Sequence, residues 1–328
     1  MGRGRARRQS SHHGILVLDK PTGFTSQDAV NVVRRVAGTR RVGHTGTLDP
    51  IATGVLVILV GEATKLSEHL VGLGKEYEGV LRLGARSNTY DAEGEIEELP
   101  DAPRPPLDRL RALAAQWTGP IDQVPPPYSA VKIDGKKLYE YARKGEAVEA
   151  APRPVTVDAY EITSMDSDLC RFRVACSSGT YVRSLVHELG EAAGCGALVQ
   201  ELRRTCVGDI RIDEAVTLDQ LREAGPEGFS QFLLPMIDAL TDWPIYHVGD
   251  NAAGWIRRGQ AIPMALARLD EESQAKGVGT RAFLVHEGED AFAIAVVRHA
   301  PPGKPPADLA RHVGAWLQPE KLLLPSPE

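Results

Sequence analysis

Gly43-His44-Thr45-Gly46-Thr47-Leu48-Asp49-Pro50-Ile51-Ala52-Thr53-Gly54 runs directly into Val55-Leu56-Val57-Ile58-Leu59-Val60. An unbroken apolar run behind turn residues predicts a central strand covered on both faces. The glycine-punctuated segment ahead of it predicts a tight loop that carries one carboxylate. Burial costs that carboxylate solvation, so it needs a compensating partner or a chemical use. Two readings follow. Asp49 caps a turn, as Asp before Pro often does in Gly-rich loops, or it is a catalytic group kept ionised by a nearby cation. Arg183, which opens a helix after a glycine turn, is the candidate cation. His44, Tyr77 and Tyr181 are the other candidates for chemistry. His44 also suits a structural hydrogen bond, and Tyr77 also suits the core.

Upstream of the loop, Gly14 to Leu18 reads as a short strand stopped by Asp19-Lys20-Pro21. Ser26 is the expected N-cap of a helix with Ala29, Val30, Val33 and Val36 at helical spacing and Gly38 as its stop. Downstream, Ala63 to Leu73 reads as helix and Glu78 to Leu83 as an alternating strand. Leu107 to Trp117 has helical period, and Leu138 to Lys144 a short helix. Strands are expected near Val155 to Ile162, near Cys170 to Cys176 and over Ala197 to Ile210. Helices are expected from Thr180 to Gly194 and from a cap at Thr217. Asp242-Trp243-Pro244 reads as a boundary. Short strands follow at Ala282 to Val285, Ala291 to Val297 and Lys321 to Leu324, broken by turns that include Pro301-Pro302-Gly303-Lys304-Pro305-Pro306.

The 328 residues are 42% hydrophobic and 25% charged, which places the chain among ordinary globular proteins and excludes disorder over most of its length. No apolar run approaches the roughly 20 residues needed to cross a bilayer. Ile15 to Leu18 is too short for the core of a signal peptide, so a cytoplasmic location is expected. Cys170, Cys176, Cys195 and Cys206 show no CxxC spacing, which points to buried thiols rather than to zinc or a disulfide framework. The net charge of −6 opposes a polyanionic partner when taken as a sum. Its distribution does not. Residues 29 to 48 hold Arg34, Arg35, Arg40 and Arg41 and no acid. Arg3, Arg5, Arg7 and Arg8 form a second basic group, and Lys132, Lys136, Lys137, Arg143 and Lys144 a third. For any one cluster alone, solvated surface is the competing reading.

Gly43 to Thr53 closely resembles the signature of the TruB family of pseudouridine synthases. Leu18-Asp19-Lys20-Pro21, Gly61-Glu62-Ala63-Thr64-Lys65, Lys75-Glu76-Tyr77 and Ser178-Gly179-Thr180-Tyr181-Val182-Arg183 agree in order and spacing. Gly194-Cys195-Gly196-Ala197 and Leu202-Arg203-Arg204 extend the likeness, which covers residues 14 to about 225. The resemblance implies an α+β fold, a mixed and largely antiparallel sheet with flanking helices. It implies conversion of uridine 55 in the TΨC arm of transfer RNA to pseudouridine, with no cofactor and no metal. Asp49 aligns with the essential aspartate, Tyr77 with the tyrosine that stacks on the base, and Arg183 with the arginine paired to the aspartate. His44 matches the histidine associated with base flipping, and Tyr181, Lys20 and Leu202 match pocket-forming positions. Asn88 stands where the family often carries an acid, leaving Asp91 as the matching carboxylate.

Tyr128 to Lys132 and Gly135 to Arg143 resemble an insertion of the stand-alone bacterial enzymes, which implies transfer RNA as partner, no guide RNA, no obligate protein partner, no membrane and a monomer. The expected organisation is a basic, disordered tail at 1–13 and a catalytic domain at 14–243 with an insertion at about 100–153. A β-barrel-like module at 244–328, resembling an RNA-binding PUA domain, completes it. Asp49 could attack C1′, attack C6 or abstract a proton. Two rivals differ in class: an RNA-folding protein that keeps the pocket, and a hydrolase that would release free uracil.

Overall fold

In the computed structural model of the chain, which describes residues 12–146, 148, 150–286, 290–301, 309 and 311–323, the apolar run lies in a strand, Ala52–Val60. Seven strands make the path of the main sheet: β1 Gly14–Lys20, β2 Ala52–Val60, β3 Lys75–Leu83, β4 Gly119–Gln123, β5 Arg153–Asp166, β6 Leu169–Cys176 and β7 Ala197–Val207. Their order is β1-β2-β7-β3-β6-β5-β4, with Val42–His44 added beside β2 and Ile210–Arg211 beside β7. Every pair is antiparallel except β2 with β7, where Leu202 faces Ala52 and Arg204 faces Gly54 in parallel register. The sheet is therefore mixed and largely antiparallel.

The two faces of β2 bury different neighbours, which is why its sequence is apolar without alternation. Leu56, Ile58 and Val60 join the core under the helices α1 Ser26–Val36, α2 Leu107–Ala114 and α3 Val182–Ala193. Val55, Val57 and Leu59 join a second cluster, in which Phe283, Ile294 and Leu323 arrive from the C-terminal part of the chain. That part is a six-stranded, barrel-like sheet, made of β8 Ile245–Val248, β9 Ile262–Pro263, β10 Ala267–Leu269, β11 Arg281–His286, β12 Ala291–Arg298 and β13 Trp316–Leu322. Asp242-Trp243-Pro244, expected as a boundary, is a packed joint. The Trp243 ring lies 4.9 Å from that of His69 and 5.2 Å from that of Phe283.

Local chemistry accounts for several shifts from the expected boundaries. Thr25, not Ser26, caps α1, through a capping box in which Asp28 N donates to Thr25 Oγ1 at 3.1 Å and Thr25 N donates to Asp28 Oδ2 at 3.1 Å. The stretch Ala197 to Ile210 is a strand plus a return, because Gly208 takes φ 58° and turns the chain back. The final strand is Trp316–Leu322, seven residues long rather than the four expected at Lys321 to Leu324. Two further helices are α4 Leu218–Gly228, capped by Thr217 as expected and broken by a kink at Gly225, and α5 Asp250–Arg257. The tail up to residue 11 and Pro302 to Pro306 lie outside the described residues.

Gly54 is the tightest point between β2 and β7. It takes φ 96°, and a Cβ there would lie 2.1 Å from the carbonyl oxygen of Arg204. Neither strand can yield without breaking the sheet that carries both signature segments. Gly54→Ala is expected to cost more than about 3 kcal/mol in denaturant-unfolding stability, combining backbone strain with overpacking. An unchanged unfolding midpoint would refute this account of the strand pairing.

Candidate active site

The loop ahead of β2 is held by side chains from three elements. Ser26, the first residue of α1, turns its hydroxyl to the loop: Oγ donates to Leu48 O at 3.1 Å and accepts from Leu48 N at 2.8 Å. Arg204 of β7 is buried, and its Nε donates to Val55 O at 2.7 Å while Nη2 donates to Gly46 O at 3.2 Å. Lys20, the last residue of β1, is also buried; its Nζ donates to Phe24 O at 2.7 Å, Pro21 O at 2.9 Å and Pro50 O at 3.4 Å. These contacts leave Asp49 at the tip of a braced turn.

Arg183 enters from the first turn of α3 and is only 4% exposed. Its Nε lies 2.9 Å from Asp49 Oδ2, an ion pair not aligned as a hydrogen bond, and its Nη1 lies 3.4 Å from Asp91 Oδ2. Nη1 also donates to Thr89 O at 2.7 Å, and Nη2 to Tyr128 O at 3.0 Å. One guanidinium thus joins two carboxylates and two carbonyls. Asp91 is 2% exposed and accepts from Thr89 Oγ1 at 2.6 Å and Glu93 N at 3.1 Å. The Asp49 side chain keeps 38% of its surface open. Of the two acids on Arg183, Asp49 is therefore the one a ligand can reach.

The protein packed around the Asp49 carboxyl pushes its pKa above the ordinary range; Arg183 and Lys20 pull it back, and Asp91 adds to the rise. Two acids compete for one cation, so neither receives the full attraction. Burial lowers the Lys20 ammonium to about 8, with Glu93 and Asp49 opposing and Arg204 assisting. Lys75, buried and donating to Val71 O and Leu73 O, also falls to about 8, through burial and then Arg204. His44 is pushed toward its neutral form by burial and by Arg204, and its Nδ1 has no hydrogen-bond partner.

Tyr77 stands on β3 opposite Arg204, almost fully buried. Burial raises its hydroxyl pKa, Arg204 opposes that rise, and Cys176 and Asp49 add to it. Tyr181 precedes α3; its backbone N donates to Gln123 Oε1 at 2.7 Å, and its ring packs on the small cluster of Val131, Leu138 and Ala150 in the insertion. Leu202 lies beside the loop on β7 and, with Thr22, Ile51 and Thr53, borders a cavity of about 650 Å³.

The structure brings Asp49, Arg183, Asp91 and Lys20 into one electrostatic group and sets His44 and Tyr77 near Arg204. Lys20, expected to form the pocket, donates to the carbonyls of Pro21, Phe24 and Pro50 and lies in the field of Asp49. Sequence reasoning missed Ser26 as a loop anchor and Arg204 as a brace. It also missed Glu93, whose pKa burial raises in the field of Asp91 and Asp49. The Leu-Arg-Arg run was the available signal for Arg204. Nothing local distinguishes Ser26 from a cap. Among the described residues no group of three or more His, Cys, Asp or Glu side chains is arranged to hold a metal.

Comparison with known proteins gives concordant results. The N-terminal domain of the TruB family pseudouridylate synthases matches residues 34–182, and the C-terminal domain of tRNA pseudouridylate synthase B matches residues 183–241. The chain is 45% identical over 253 residues to the tRNA pseudouridine synthase B of Pseudomonas putida F1, an alignment spanning 76% of this chain and 83% of that one. It is 47% identical over 282 residues to that of Cupriavidus metallidurans CH34, spanning 83% and 89%. Among solved structures, an H/ACA ribonucleoprotein bound to a substrate RNA containing 2′-deoxyuridine aligns with TM-score 0.68 at 23% identity, over 95% of this chain and 85% of that one. A Cbf5-Nop10-Gar1 complex aligns with TM-score 0.67 at 25% identity, over 98% and 88%. The structural likeness is one of fold, and it extends over both sheets.

The two hydrogen bonds between Ser26 and Leu48 are the most direct test of how the loop is braced. Ser26→Ala leaves a buried N–H and C=O without partners and is expected to cost about 2 kcal/mol or more in denaturant unfolding. Thr25→Ala, which removes only the cap, should cost about 1 kcal/mol. Equal losses, or the reverse order, would contradict this assignment of the two hydroxyls.

Proposed function

The chain belongs to the TruB family of pseudouridylate synthases, and from that premise we propose that it converts uridine 55 in the T arm of transfer RNA to pseudouridine. The observation that carries the reading is the Asp49–Arg183 pair at 2.9 Å, with the aspartate open to solvent and the arginine enclosed. A flipped nucleotide can reach such a carboxylate, and the guanidinium favours its charged form.

In the proposed reaction the target uridine leaves the base stack, at a cost of a few kcal/mol. Tyr77 stacks on the freed base and recovers roughly 1 to 3 kcal/mol. His44 positions the flipped nucleotide, and Tyr181 and Leu202 bound its pocket. Asp49 assists cleavage of the bond from C1′ to N1. The uracil turns while held, C5 joins C1′, C5 gives up its proton, and N1 gains one. The exchange balances within the nucleotide and solvent. Lys20 and Asp91 act indirectly, by holding the loop and Arg183.

The basic insertion, in which Lys137 and Arg143 each lie 5.3 Å from the ring of Tyr139, offers cations to the RNA backbone. The C-terminal sheet is a PUA-like second contact with RNA. We assign the chain a catalytic domain at 14–243 and this module at 244–328. It acts as a cytoplasmic monomer without guide RNA. The curated relatives named tRNA pseudouridine synthase B support transfer RNA as the substrate.

The test is tritium release from a transfer-RNA transcript labelled at C5 of uridine. Wild-type protein should release tritium from the T arm, Asp49→Asn should fall by at least about 10³-fold, and Tyr77→Leu by about 5- to 150-fold. Asp49 has a raised pKa in the folded state, so its charge opposes folding above the ordinary carboxylate range. Asp49→Asn should therefore melt no lower than wild type at neutral pH. No release from wild type would refute the function, and normal release from Asp49→Asn would refute the role of Asp49.

A further inference from the structure

Thr89-Tyr90-Asp91 meets α3 at two successive turns. The first contact is polar: Arg183 holds Thr89 O at 2.7 Å and Asp91 Oδ2 at 3.4 Å. The second lies four residues further along the helix, on the same face. There the ring of Tyr90 stacks on the imidazole of His187, with centroids 3.8 Å apart and planes 5° from parallel.

Two features mark this stack as more than incidental packing. Tyr90 adopts φ 65°, one of three non-glycine residues with positive φ among the described residues. A side chain with a Cβ pays roughly 1 to 2 kcal/mol for that conformation, so something must hold it. The backbone does part of this, since Tyr90 N donates to Ser87 O at 3.2 Å and Val199 N donates to Tyr90 O at 3.0 Å. In addition, His187 Nδ1 is buried without a hydrogen-bond partner. The imidazole therefore gains nothing from its Nδ1 there, and its ring face makes the contact.

The left-handed turn at Tyr90 points the carbonyl before it and the carboxylate after it toward one guanidinium. Relaxation to negative φ would turn one relative to the other, so that both could no longer meet Arg183 Nη1 together. We infer that the Tyr90–His187 stack is a positioning device, in which Tyr90 and His187 hold Thr89 and Asp91 on Arg183 and so fix where Arg183 offers Nε to Asp49. The inference rests on the reading that Asp49 and Arg183 act in the isomerisation.

The experiment is steady-state tritium release by the full-length protein, with His187→Ala, His187→Phe, Tyr90→Phe and Asp49→Asn compared with wild type. His187→Ala should lose about 5- to 10-fold in kcat, the scale of one aromatic contact, with KM for the RNA within about twofold. His187→Phe and Tyr90→Phe keep two stacked rings and should stay within about twofold of wild type in both constants. Wild-type kcat in His187→Ala would overturn the inference, as would equal impairment of His187→Ala and His187→Phe. If His187→Ala does not fold, Tyr90→Leu carries the same prediction, and wild-type kcat there overturns it. Undiminished release by Asp49→Asn would instead refute the underlying assignment, which separates the two failures.

Discussion

A buried guanidinium that two carboxylates share is the constraint on which the site depends. Arg183 cannot shed its charge, so taking it out of water is tolerable only if its donors are met. The fold meets Nη1 and Nη2 with hydrogen bonds to the carbonyls of Thr89 and Tyr128, and the charge with ion pairs to Asp49 and Asp91. The four partners come from three segments: Asp49 from the signature loop, Thr89 and Asp91 from the acidic loop after β3, and Tyr128 from the insertion. Placing Arg183 therefore places all three. Because Asp91 is enclosed and Asp49 is not, Arg183 stays anchored on one acid while the other remains available to a ligand.

The rest of the architecture serves that placement. The parallel pairing of β2 with β7 sets the signature loop beside Leu202 and Arg204, and the absence of a side chain at Gly54 lets the strands approach. The C-terminal sheet closes the outer face of β2, so the strand behind the signature loop is covered on both sides. The loop then rests on a rigid strand, where a displacement of one ångström would matter for chemistry.

Much of this was legible in the sequence, and where it failed the reasons are physical. Val55 to Val60 announced a two-sided strand because burial on both faces is written locally in side-chain type. The Asp49–Arg183 pair was legible as a carboxylate in need of a cation, while spacing alone left Asp49 divided between a cap and a catalyst. Ser26 was misread because Thr25 and Ser26 are equally good caps on paper, and only the tertiary fold shows which hydroxyl faces Leu48. The meeting of Asp91 with Arg183 joins residues separated by the whole insertion, and no periodicity encodes it. In the C-terminal sheet, Ile262–Pro263 is too short to show a pattern. Helix α5 begins after Gly249 with no side-chain cap, so its start carried no signal.

The central claim is that the surrounding protein and Arg183 act in opposite directions on the Asp49 carboxyl. Titration of the aspartate side-chain carboxyls by carbon-13 NMR, with the Asp49 resonance assigned by its loss in Asp49→Asn, tests this directly. Asp49 in the wild-type protein should titrate above the ordinary carboxylate range, and higher still in Arg183→Met, where the cation that opposes the rise is gone. A wild-type Asp49 that titrates at or below the ordinary range, or one that does not move upward in Arg183→Met, would contradict it.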